Sequence, residues 1–132
     1  GSEMCIRDRA RDLNALGRGQ GSAIETAERW KKLPPAQVLD WLAQQVKLAI
    51  LAASAGRESA AGLSIEESVL QRMDTRNLFC YLDIINRLRG QAAGSFNVHV
   101  TLEGLLIDWS TGLQDCGLDE PLDGMNMMRA GA

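Results

Sequence analysis

The chain has 132 residues, 14 basic against 17 acidic side chains for a net charge of −3, a single histidine and three cysteines. Between residues 10 and 112 the charges balance at eleven Lys/Arg against eleven Asp/Glu, so the whole acidic excess lies in residues 113–132. A neutral body lacks the cationic surplus that neutralises phosphates, which argues against direct nucleic-acid binding. The longest apolar run, VKLAILAA, is interrupted by Lys47 and falls far short of the roughly 20 residues that span a bilayer, so no membrane segment is expected.

Residues 1–9, GSEMCIRDR, back-translate in frame to a transposase sequencing-library adaptor, and are expected to be an artefact preceding a native chain that begins near Ala10. An adaptor joined directly to coding sequence implies a fragment whose upstream part was lost. About 120 native residues suit one domain. Residues 10–21 read as a linker from the missing N-terminal region, with a helical remnant at Arg11 to Leu16. The run Gly17-Arg18-Gly19-Gln20-Gly21 superficially resembles a phosphate loop. It has neither the Gly-Lys-Ser/Thr ending nor the preceding strand that such loops require, and it reads as a flexible connector.

Ser22 and Glu25 form a capping-box pattern, predicting a helix from Ala23 through Ile24, Ala27 and Trp30 to about Lys32. Leu33-Pro34-Pro35 stops it. Pro35 is tolerated in a first helical turn, and Val38, Leu39, Leu42, Val46, Ala49, Ile50 and Ala53 mark a long helix to about Ser54, ended by Gly56. After a small-residue loop from Arg57 to Gly62, Ser64 and Glu67 offer a second capping box for a short helix carrying Ile65, Val69 and Leu70.

Asp74 or Thr75 can cap the next helix, whose Leu78, Leu82, Ile85, Leu88 and Ala92 recur at steps of three or four. Ala92, Ala93, Gly94 and Ser95 mark a turn toward Asn97, a good N-cap for a last helix bearing Val98, Leu102, Leu105, Leu106 and Trp109. The only strand-like alternation, NVHV, fits a first helical turn equally well. The fold class is therefore all-α, with five helices in residues 22–112. Residues 113–132 are acidic, Gly-containing and Met-rich without periodicity, and are expected to be a disordered tail.

Candidates for chemistry are few. His99 has no second histidine or matched cysteine to build a metal site or a triad. Adjacent Glu66 and Glu67 would point about 100° apart on a helix. With Cys5 set aside, Cys80 and Cys116 form neither a disulfide framework nor metal-ligand spacing, and the cytoplasm is the natural compartment. Trp30, Trp41 and Trp109 occupy apolar helix positions and read as core anchors. Arg87 and Arg89 near a helix end complement the macrodipole. No catalytic, cofactor-binding or metal residue is expected, nor any enzymatic activity of the fragment.

The segments AERWKKL, VLDWLAQQV, LFCYLDIINRLRGQ and, above all, Asn97 followed by VHVTLEGLLIDW resemble the C-terminal domain of the delta-prime subunit of bacterial DNA polymerase III, over about Ser22 to Trp109. The chain departs from that pattern in its short Ala/Gly-rich connection from Gly56 to Gly62, in Val98 where a proline often follows the asparagine, and in its longer acidic tail. The resemblance implies a five-helix collar that assembles with the gamma/tau and delta subunits into the ATP-driven clamp loader, which places the sliding clamp on DNA during replication. It implies no ATP site in this segment, a monomer in isolation, and function only within the complex. Asn97 and Glu103 match polar positions of the family's last helix, and Leu102, Leu106 and Trp109 its apolar ones. Arg87, Arg89 and Glu103 are the candidate partner contacts. The paralogous gamma/tau collar and a free-standing helical adaptor or DNA-binding module are the alternatives.

Overall fold

The computed structural model describes residues 5–91 and 97–116, and among them six α-helices and one 3₁₀ turn but no strand. The helices are α1 (Ile6–Gly17), α2 (Ala23–Trp30), α3 (Pro35–Ala55), α4 (Glu67–Leu70), α5 (Thr75–Arg89) and α6 (Val98–Ser110), with the 3₁₀ turn at Arg57–Ser59. The all-helical class therefore stands. Helix α3 packs along α5, while α6 packs against both α2 and α1. Among the described residues no helix is long and apolar enough to cross a membrane.

Local chemistry accounts for most helix starts. The Ser22 hydroxyl accepts from the Glu25 N–H at 3.2 Å, Asp74 from the Arg76 N–H at 2.8 Å, and Asn97 from the Val100 N–H at 3.0 Å. Each satisfies one of the donors that a first turn leaves unpaired. Helix α3 has no side-chain cap, and Pro35 at its start removes one of the unpaired donors.

The second capping box does not form. Helix α4 begins at Glu67 with Glu66 as an N-cap that makes no side-chain hydrogen bond. Ser64 is instead drawn into a clamp made by two buried amides. Asn14 donates to the Ser64 carbonyl at 3.0 Å and accepts from the Glu66 N–H at 2.8 Å. Gln45 accepts from the Ser64 N–H at 2.7 Å and donates to the Gly62 carbonyl at 3.2 Å. A carboxamide offers one acceptor and two donors, so each side chain substitutes for the ladder this irregular backbone lacks.

The helical remnant expected at Arg11 to Leu16 lies within α1, and it packs into the domain. Leu13 and Leu16 are fully buried in the core, together with Leu42, Val46, Ile65, Val69, Leu106 and Trp109. The sequence obscured this because five of the twelve residues of α1 are charged and only Leu13 and Leu16 are large apolar side chains in its second half. Helix α1 also takes in residues 6–9. Arg9 lies with its guanidinium carbon 5.2 Å from the centre of the Trp41 ring, buried, yet its Nε and Nη1 have no hydrogen-bond partner. Burying those two donors without acceptors is costly.

The tail boundary also moves. Leu113 is fully buried and Cys116 nearly so, which brings residues 113–116 into the packed body. The apolar side chain of Leu113 caps the end of α6 and was missed because a lone leucine carries no periodicity. Residues 117–132 and the turn expected at 92–95 lie outside the described residues.

Candidate functional site

Helix α6 is apolar on two sides. Leu102, Leu105, Leu106 and Trp109 face the core and are at most 4% exposed. Val100 and Ile107 face outward at 62% and 44% exposure. Between them lies Gly104, exposed, where among the described residues an added Cβ would meet nothing within 4 Å beyond its own helix. Positions 100, 104 and 107 are spaced by four and three residues and share one helix face. The face is thus a shallow notch at Gly104 between two aliphatic side chains. Helix α2, packed along α6, exposes a further large apolar residue, Ile24.

Polar groups border the α2–α6 contact. His99 Nε2 lies 3.1 Å from Glu103 Oε2 and 3.8 Å from Glu28 Oε2. The His99–Glu103 approach lacks hydrogen-bond alignment, which leaves that nitrogen buried without a hydrogen-bond partner. Glu28 is held below the usual carboxylate range, first by a hydrogen bond from Lys31 and further by the positive charges of Lys31, His99 and Lys32. These side chains are solvated enough that their pairing contributes little to stability.

The candidate contacts do not converge. Arg87 pairs with Asp83 at 2.7 Å one turn back on α5, on the exposed surface. Arg89 reaches Asp40 at 2.9 Å and Asn86 at 2.9 Å, tying the end of α5 to α3. Glu103 faces α2 through His99. Trp30, Leu102, Leu106 and Trp109 are buried, Trp41 is half-buried, and Asn97 caps α6. Trp30 and Trp41 meet edge to face with ring centres 6.0 Å apart, and the Trp30 indole donates to Asp12 at 3.1 Å. These residues build the domain.

Two residues of consequence escaped the sequence reading. Tyr81, fully buried, stacks at 5.8 Å from Trp109 and donates its hydroxyl to the Leu105 carbonyl at 2.6 Å. Burial, aided by the negative charge of Asp108, pushes its phenol well above the usual range. Its spacing of three and four residues from Leu78 and Ile85 was the available signal, and it places Leu82 and Leu88 at the half-buried edge of the stripe. The second is a pairing: Cys80 on α5 and Cys116 are joined as a disulfide, contrary to the expectation that neither would pair. Separated by 36 residues, they meet because the turn after α6 folds back onto α5.

Among the described residues no group of three or more His, Cys, Asp or Glu could hold a metal ion. A crevice of about 190 Å³ lies between α1 and α2, lined by Asp12, Ser22, Glu25, Thr26 and Arg29. Its guanidinium is already committed to Asp12 at 3.0 Å, and its volume is below that of ordinary small-molecule sites.

No protein-family model, curated protein or solved structure matches the chain.

Proposed function

We propose that this chain is an assembly module, the C-terminal collar domain of a clamp-loader delta-prime subunit, whose work is to dock against the collar helices of gamma/tau and delta. The observation that carries the docking role is the outward face of α6, where Val100 and Ile107 flank the open notch at Gly104. A helix with one apolar face in its own core and another in water has surface for a neighbouring helix. A small residue between two aliphatic ones lets that neighbour approach closely. The choice of delta-prime rests on the helix-packing pattern from AERWKKL to VHVTLEGLLIDW.

On this reading the domain works in the cytoplasm, catalyses nothing itself and contacts nucleic acid only through the complex it joins. Co-expression with gamma/tau and delta subunits tests it. The chain should co-elute with them, and Val100→Glu combined with Ile107→Glu should abolish co-elution while helical circular dichroism is retained. Failure of the unaltered chain to join any such complex defeats the assignment, and entry in place of gamma/tau reassigns the paralogue.

A further inference from the structure

We propose that Cys80 and Cys116 form a reversible thiol–disulfide latch that holds the turn after α6 onto α5, opening and closing with the thiol balance of its surroundings. The proposal is independent of the docking role.

Three features converge. The two Cα atoms are 6.1 Å apart, within the span that a disulfide bridges without backbone movement. Cys80 is half-buried while Cys116 is only 6% exposed, so a small reagent in solution reaches Cys80 first. The turn itself is conformationally loaded: Gly112 and Leu113 both adopt positive φ, at 77° and 60°. Glycine tolerates that region, whereas leucine holds it only where its surroundings compel it. Here the compulsion is burial of the Leu113 side chain and the link three residues later.

Both redox states have a place in the structure. Cys80 Sγ lies 3.0 Å from the Cys116 carbonyl oxygen. A disulfide sulfur has no proton to donate across that gap, but a thiol does, so reduction replaces the covalent link with a weak S–H···O contact from Cys80 to the turn. The link is therefore removable without wrecking the site. What it changes is how firmly the turn is held.

Closure proceeds by exchange with a low-molecular-weight disulfide of the glutathione class. The Cys80 thiolate attacks one sulfur of the reagent, forming a mixed disulfide and expelling one thiol. The Cys116 thiolate then attacks the Cys80 sulfur and expels the second thiol. The protein loses two electrons and two protons, and the reagent becomes two thiols. Excess thiol runs the same steps backward.

The test uses the full chain with Cys5→Ser, which removes the exposed third cysteine, equilibrated in glutathione buffers of differing oxidised fraction. Peptide mapping should find a Cys80–Cys116 cross-link in the oxidised sample. Its thermal midpoint should exceed that of the reduced sample by about 10 °C. Amide exchange at Leu113 and Cys116, whose N–H groups bond to Asp108 and Leu113 carbonyls, should slow about tenfold. All three differences should vanish in Cys116→Ser, and dithiothreitol should reverse them in the parent. Because the comparison is made within one chain, a poorly folded variant does not spoil it. Glutathione adducts without an internal cross-link, a cross-link that forms only in denaturant, or equal midpoints and exchange rates in both buffers would overturn the latch.

Discussion

Trp109 donates its indole N–H to the carbonyl oxygen of Leu13 at 2.9 Å, across 96 residues of sequence. Both groups are buried, so this bond joins the last helix to the first in a place where water cannot substitute. Trp109→Phe keeps an aromatic ring against Tyr81 but removes the donor and part of the volume. The expected loss is about 2 kcal/mol, read as a lower urea midpoint at unchanged m-value. A cost below a few tenths would mean that the Trp109–Leu13 bond contributes nothing to the native state.

Gly17 sits at the crossing that this bond fixes. A Cβ there would overlap the Val69 side chain and come within 3.2 Å of Trp109 Nε1. Gly17→Ala raises helix propensity, which alone would stabilise, yet the crossing is too tight to accept the methyl without displacing Val69 or the indole. Steric cost wins, and destabilisation of about 1–3 kcal/mol is expected in chemical denaturation. A stabilised variant would show that the contact yields easily.

The clamp around residues 62–66 gives a separate test. Asn14→Leu preserves size but strands the Ser64 carbonyl and the Glu66 N–H in a partly buried site. Removing one partner costs more than the bond was worth, because the remaining groups keep their desolvation penalty. About 2–4 kcal/mol should be lost, with faster amide exchange concentrated at Glu66. Uniform change across all helices would instead point to general loosening.

What the sequence made legible follows from the range of the interactions. Caps at Ser22, Asp74 and Asn97 are decided within a few residues, and each is found where the pattern placed it. Ser64 satisfied the same pattern and failed, because Asn14 and Gln45, 50 and 19 residues away, compete for its backbone. Periodicity located the apolar faces of α3, α5 and α6. It could not report the outward face of α6, since Val100 and Ile107 look like core residues until the inward side is known. The Cys80–Cys116 pairing depends wholly on the return of the chain after α6. No spacing rule encodes that.

Tyr81 supplies a pH-dependent prediction that is easy to read, as it is the chain's sole tyrosine. Its folded pKa is raised well above the ordinary value by burial. The neutral phenol is therefore favoured in the native state, and the stability it contributes is complete below the unfolded pKa of about 10. As pH rises through 10 toward the folded pKa, the unfolded chain loses its proton first and that stability falls away. Absorbance at 295 nm should show little phenolate until the protein unfolds, and denaturation midpoints should drop steeply above about pH 10. Tyr81→Phe should weaken that alkaline dependence while costing about 1 kcal/mol at neutral pH through loss of the Leu105 bond. An ordinary tyrosine titration in the folded chain would contradict the burial argument.

Gly104 separates stability from assembly. It lies inside α6, where glycine is less favourable than alanine by about 1 kcal/mol, and among the described residues nothing beyond its own helix and chain neighbours stands within 4 Å of an added Cβ. Gly104→Ala should therefore stabilise the isolated chain by about 0.5–1 kcal/mol. Gly104→Leu should also fold, because the added side chain projects into open space. If a neighbouring helix docks across this notch, the same leucine fills the place that helix needs, and subunit co-elution should fall while the isolated chain's midpoint does not. Complex formation unaffected by Gly104→Leu would remove α6 from the interface, whereas loss of folding in both variants would mean the notch is occupied by the chain itself.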